Sequence, residues 1–223
     1  MEQVTWEKFK GRLQWRQGQH LSIIGPTNSG KTTLLIELLH ARDYVVFCAT
    51  KPEDPVIASE LRKQKFRKIH SWKNRKENEA RLLLWPKYTS IYSKDKQIKE
   101  FQYAFDEIFA AGCWTVVIDE TWYFTNILKL GRYLENFWCQ GRSLDITMVC
   151  GTQRPKYVPT MMYDQSTHLF FFRFRDENDL ERIGGISWIS SKEIRKCVSM
   201  LEPHEFLYID SATGEMMISK VNK

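Results

Sequence analysis

The sequence predicts an α/β fold, with a largely parallel central sheet flanked by helices in a single domain. Three observations predict it. Short apolar runs at residues 21–24, 44–49 and 114–118 are nearly unbroken, as strands buried on both faces are. Segments of helical period alternate with them, the pattern of βαβ units. The chain has 223 residues, 43% hydrophobic and 27% charged, enough for one well-buried core.

The elements follow in order. After a lead-in of residues 1–20, a strand is expected at 21–24. A helix at 31–41 carries Leu34, Leu35, Leu38 and Leu39 on one face. A strand at 44–49, a helix at 55–65 and short strands at 66–70 and 82–85 come next. Residues 96–111 have helical spacing through Ile98, Phe101, Phe105, Ile108 and Phe109. Strands at 114–118, 146–150 and 168–174 alternate with helices at 131–141, 176–183 and 191–201. Strands at 206–209 and 216–219 fall in the closing segment, residues 205–223. No boundary between domains is visible.

The turn after the first strand reads Gly25, Pro26, Thr27, Asn28, Ser29, Gly30, Lys31, Thr32, and Thr33 follows. It fits G-x-x-x-x-G-K-[ST] at every fixed position, between an apolar strand and an amphipathic helix. Glycines at 25 and 30 let the backbone approach a phosphate, and successive N–H groups at the helix's positive end cradle the anion. Lys31 places a point charge on the outer phosphates, and the Thr32 hydroxyl is an oxygen ligand for Mg²⁺. ATP with Mg²⁺ is the expected ligand pair.

Residues 114–118 end in Asp119 and Glu120. Asp119 is placed to hold Mg²⁺ through water, and Glu120 to deprotonate an attacking water; binding alone needs only the first, so the pair signals hydrolysis. The Asp-Glu pair, and the long interval separating it from the loop, resemble the ASCE branch of P-loop ATPases, which contains the RecA-like motors.

Residues 141–155 read Gly141-Arg142-Ser143-Leu144-Asp145-Ile146-Thr147-Met148-Val149-Cys150-Gly151-Thr152-Gln153-Arg154-Pro155. An Arg, a short approach, an apolar strand and then Thr-Gln-Arg-Pro resemble the third nucleotide-site strand of the FtsK–HerA superfamily. The run at 172–180 and the lead-in at 15–21 are similar to it as well, so the resemblance covers nearly the whole chain in order. It implies that Gln153 senses the γ-phosphate or the attacking water. It implies that Arg142 is an arginine finger reaching a neighbouring subunit's nucleotide, against a plain surface or intrachain role. Arg173 is a second finger candidate, and Arg154 before Pro155 is read as structural.

The superfamily contains chromosome translocases, archaeal DNA-end processors, conjugation motors and packaging ATPases of viruses with internal membranes. The resemblance therefore implies double-stranded DNA as partner, a homo-oligomeric ring (hexamer or pentamer), and contacts with the capsid vertex or membrane proteins of a virion. A motor domain without membrane helices or a winged helix looks most like the compact viral packaging ATPases. A plasmid or conjugation motor, or a HerA-like DNA processor, is the alternative. A non-translocating morphogenesis factor is the third reading.

The rest of the composition bounds these readings. No segment approaches the ~18 apolar residues that span a bilayer, and residues 1–18 lack the pattern of a signal peptide. A soluble protein of the host cytoplasm or virion is expected. The five cysteines are widely spaced with no C-x-x-C, so neither zinc nor a disulfide framework is suggested. Net charge is +6, and residues 61–76 hold eight basic and no acidic side chains, with Phe66 and Trp72 interleaved. That run, or Lys94, Lys96 and Lys99 near Ser93, is the candidate DNA-facing surface; core packing is the expected role of both aromatics and of Trp122, Tyr123 and Phe124.

Overall fold

A computed structural model describes residues 2–87, 90, 94–174, 176–184 and 190–221. Among them one ten-stranded sheet organises the chain. In chain order the elements are β1 Glu2–Gln3, α1 Trp6–Arg12, β2 His20–Ile24, α2 Lys31–Leu38, β3 Val45–Cys48, α3 Pro55–Lys63, β4 Arg67–Ile69 and β5 Arg81–Leu84. Then come α4 Lys94–Ala111, β6 Thr115–Ile118, α5 Gly131–Gln140, β7 Thr147–Thr152, α6 Met161–Asp164 and β8 Ser166–Phe172. The last are α7 Glu177–Gly184, α8 Ser191–Met200, β9 Glu205–Asp210 and β10 Met216–Lys220. The strand order is β1-β10-β9-β8-β2-β7-β6-β3-β5-β4. From β8 to β4 every pairing is parallel, while β9 runs antiparallel to both β8 and β10.

The unbroken apolar runs are explained by burial on two faces. Val46 and Cys48 of β3, with Val116 and Ile118 of β6, face a layer built from Phe101, Phe105 and Ile108 of α4 and Phe137 and Trp138 of α5. Val45 and Phe47, with Val117, face the opposite layer of Leu34, Leu35 and Leu38 of α2 and Ile57 and Leu61 of α3. Alternate residues of one strand thus enter different cores, and neither face can be polar.

The short helix α6 was not among the expected elements, and three further places depart from the sequence expectation. The lead-in is structured: Thr5 caps α1 by accepting from the Lys8 N–H, and β1 adds to the sheet beside β10. Trp6 and Phe9 stack at 5.5 Å and anchor α1 on Phe206, Phe170 and Tyr208. β8 begins two residues earlier than expected because its polar start is buried and paired: the Ser166 hydroxyl donates to the Met162 carbonyl at 2.7 Å, and His168 Nδ1 meets the Tyr208 hydroxyl at 2.8 Å. Residues Tyr123–Ile127 form a single π-helical stretch right after Glu120. Such stretches recur at functional sites.

Candidate nucleotide site at the carboxyl edge of the sheet

Parallel strands put all their carboxyl ends on one edge, where α/β folds bind ligands. β2 delivers the 25–33 segment there, β6 delivers Asp119 and Glu120, and β7 delivers Gln153. Gly30 opens α2 with φ of 107°, a conformation glycine adopts without strain, and no side chain caps the helix. The contrast with α3 is direct: there Asp54 accepts from the Ile57 N–H at 3.1 Å and Pro55 occupies the first turn. The N–H groups of α2 are left for an external anion.

Glycine also sets the spacing between β6 and β7. A Cβ on Gly151 would stand 2.5 Å from the Asp119 carbonyl oxygen. Any other residue there would force a shift of the backbone at Asp119 or Gly151.

The side chains converge. The Thr32 hydroxyl lies 3.1 Å and 3.2 Å from the two Asp119 carboxylate oxygens. The Thr27 hydroxyl donates to Gln153 Oε1 at 2.7 Å. The Lys31 ammonium, with the residue only 7% exposed, donates to the Pro26 carbonyl at 3.1 Å. Thr27, Thr32, Asp119, Glu120 and Gln153 line one cavity of about 940 Å³. A second cavity of about 900 Å³ is lined by Asn28, Gly30 and Thr33 together with His204 and Lys220. His204 Nδ1 sits 3.2 Å from the Ser29 carbonyl oxygen.

Burial dominates the electrostatics. It raises the Glu120 carboxyl to about 6, against the opposing pull of Lys31. It raises Asp119, with Lys31 and Lys51 acting the other way, and it lowers Lys31. A carboxyl near 6 is ionised at neutral pH and basic enough to take a proton from water. Thr32 and Asp119 together offer only oxygen atoms, which suits a hard cation such as Mg²⁺ shared with phosphates.

Gly25, Pro26, Thr27, Asn28, Ser29, Gly30, Lys31, Thr32, Thr33, Asp119, Glu120 and Gln153 thus lie on one edge. Arg142 does not join them. It is exposed in the 3-10 turn Gly141–Leu144, at the amino end of β7, a strand length of about 20 Å from Gln153 at ~3.3 Å per residue. Arg173 and Arg154 flank the loop from a third cavity of about 640 Å³, beside Thr27 and Ser29. Arg175 and Ser93 lie outside the described residues. Sequence reasoning missed Lys51, Tyr157 and His204 as neighbours of the loop. The first two follow or adjoin carboxyl strand ends, a signal that was available; His204 is brought in by the antiparallel return of β9, which was not.

Phe66 and Trp72 are buried, and their cations stack on aromatic faces. Arg81 lies 4.6 Å from the Phe66 ring centre and Arg75 5.3 Å from that of Trp72. Phe124 is likewise core, while Trp122 is 37% exposed at the mouth of the first cavity. Among the described residues no helix is long and apolar enough to cross a membrane.

No family model and no curated protein matches the sequence. Solved structures do match. The genome packaging NTPase B204 from Sulfolobus turreted icosahedral virus 2, in complex with ATP-gammaS, superposes with a TM-score of 0.69 at 19% identity, over 94% of this chain and 100% of that one. VirB4 of Thermoanaerobacter pseudethanolicus gives 0.68 at 10% identity, over 92% and 89%. The pCW3 conjugation coupling protein TcpA, in monomer form with ATPgS, gives 0.53 at 15%, over 91% of this chain and 59% of that one. At these identities the likeness establishes the fold, and the fold of this chain is one found in a viral genome-packaging NTPase and in two proteins of this wider structural group.

Proposed function

We propose that this chain is a RecA-like (ASCE) P-loop ATPase whose hydrolysis drives double-stranded DNA, and that its task is packaging a viral genome. The observation that carries the catalytic part is the convergence of Thr32, Asp119, Glu120 and Gln153 on one cavity beside an uncapped helix start. The B204 likeness over 94% of this chain and all of that one supports the packaging part.

The phosphates of ATP lie along the 25–33 backbone, with the terminal phosphate toward Glu120 and the nucleoside toward Thr33 and His204. Thr32 and Asp119 would hold Mg²⁺, which would supply positive charge against the outer phosphates. Lys31 binds the same oxygens as a point charge. Glu120 orients a water and accepts its proton, and Gln153, released from Thr27, reports on the γ-phosphate. Arg142 serves a neighbouring copy: its exposure at the opposite end of β7 from Gln153 supports a trans role in a ring, hexamer or pentamer. Such a protein works in the host cytoplasm or at a capsid vertex.

Duplex DNA tests the coupling. ATP turnover is expected to rise on adding it and to lose that stimulation steeply with salt, since each phosphate neutralised contributes a slope of about 0.9 in log K. A turnover indifferent to DNA at all salt concentrations overturns translocation and leaves a non-translocating ATPase. The likeness to the pCW3 conjugation coupling protein TcpA at a TM-score of 0.53 favours one second reading, a conjugation motor using the same site.

A further inference from the structure

We propose that Lys51 is a second phosphate-facing cation of this site, held on Asp54 until a terminal phosphate draws it across the cavity. The inference rests on the nucleotide reading above. Lys51 follows β3, which pairs with β6 through Cys48 and Ile118, so it emerges beside the Asp119–Glu120 pair. It lines the same cavity as Thr32, Asp119, Glu120 and Gln153. Its charge is felt by Lys31, Asp119 and Glu120.

The backbone at this point is fixed independently of the Lys51 side chain. Trp85 Nε1 donates to the Lys51 carbonyl at 2.6 Å, and the buried Gln97 Nε2 donates to the Thr50 carbonyl at 3.2 Å. The Tyr123 hydroxyl in turn donates to Gln97 Oε1 at 3.3 Å, tying this loop to the segment after Glu120. A side chain not needed to shape the loop is available for another task.

Its present partner is easily left. Lys51 Nζ lies 2.9 Å from Asp54 Oδ2, with the Lys51 side chain 58% exposed. An exposed pair of this kind is weak. Asp54 also keeps its second oxygen on the Ile57 N–H, so it stays hydrogen-bonded once the lysine departs. A γ-phosphate presents more negative charge than one carboxylate, in a more enclosed place, and the four-carbon stem can swing without moving the backbone.

The test separates the terminal phosphate from the rest of the nucleotide. Binding of AMPPCP and of ADP is measured by calorimetry for wild type, K51M, K51R and D54N, together with ATP turnover and thermal melting. We expect K51M to weaken AMPPCP about tenfold, the scale of one charged hydrogen bond, with ADP affinity unchanged. Its kcat should fall about a hundredfold, as when one transition-state donor is lost. K51R should recover most of both, and D54N should bind AMPPCP at least as tightly as wild type. An unchanged AMPPCP-to-ADP ratio in K51M, in a protein whose wild type turns over ATP, overturns the role of Lys51 alone. A wild type that neither binds nor hydrolyses ATP overturns the nucleotide reading beneath it.

Discussion

The two ends of the sheet treat buried polar groups in opposite ways. At the amino end several of them are tied to fixed partners within the chain. His20 has its Nε2 3.2 Å from the Trp138 carbonyl and accepts the Met148 N–H on Nδ1 at 3.1 Å. His168 reaches Tyr208 and Gln19, and the Arg81 guanidinium donates to the carbonyls of Arg42 and Leu39 and to Gln64. At the carboxyl end, a helix starts without a side-chain cap, a buried ammonium donates to its own loop, and two adjacent carboxylates are both raised by burial. The amino end is largely tied within the chain, although Arg42 Nε, Arg81 Nε and Thr115 Oγ1 have no hydrogen-bond partner there, and the carboxyl end is the one that a ligand completes under the proposed function. Natural sites commonly hold such stability in reserve for binding.

Removing a charge should therefore have opposite consequences at the two ends, and the largest effect is functional. Lys31→Ala should abolish ATP turnover, a loss of about a thousandfold or more, while the nucleotide-free protein melts no lower than wild type. A lower melting temperature would break the contrast, because it would make Lys31 a structural residue. Arg142→Ala should also lose about a thousandfold in rate, the scale of an arginine finger. Mixing it with Lys31→Ala should restore some activity, since each variant supplies what the other lacks. No rescue with assembly intact would return Arg142 to the amino end as a structural group.

The histidines sharpen the other side. Burial lowers His20 and His168 to about 4, below their ordinary value, so the folded protein resists protons that the unfolded chain accepts. Their contribution to stability is full above about pH 6.5 and is lost as pH falls toward about 4, by at most ~3 kcal/mol per histidine. Denaturant melts at pH 7 and pH 5 should show the drop, and His168→Gln should flatten it even though the variant is weaker at pH 7. The smallest effect separates the two helix starts. Asp54→Ala removes the cap of α3 and should cost about 1 kcal/mol, read as a lower melting temperature, whereas α2 has no side-chain cap to lose.

How far these features were legible follows from where their cause lies. The loop and the acidic pair were legible because each follows an apolar strand as a recognisable motif, whereas Gln153 was implied by the family resemblance. The parallel body of the sheet was readable because two-sided burial leaves unbroken apolar runs. α1 was not: it shows only Trp6 and Phe9 on its buried side in seven residues, and it is stabilised by aromatic packing onto β8 and β9 that no local pattern encodes. The start of β8 was misplaced because Ser166 and Thr167 read as polar, and the partner of the Ser166 hydroxyl lies on α6. Lys51 carried one available signal, its place after the carboxyl end of a predicted strand; the adjacency of β3 and β6, which sets it beside Glu120, was not in the local sequence. Pairings between distant segments are invisible to a local reading, and the second cavity, lined by His204 and Lys220, depends on one.

The central claim is that the carboxyl end hydrolyses ATP through Glu120, and Glu120→Gln tests it most directly. ATP affinity and single-turnover hydrolysis are measured on the same preparation. The account predicts binding within a few-fold of wild type and hydrolysis reduced by about a hundredfold or more, the range of a lost general base. Hydrolysis at the wild-type rate in the Gln variant would contradict it.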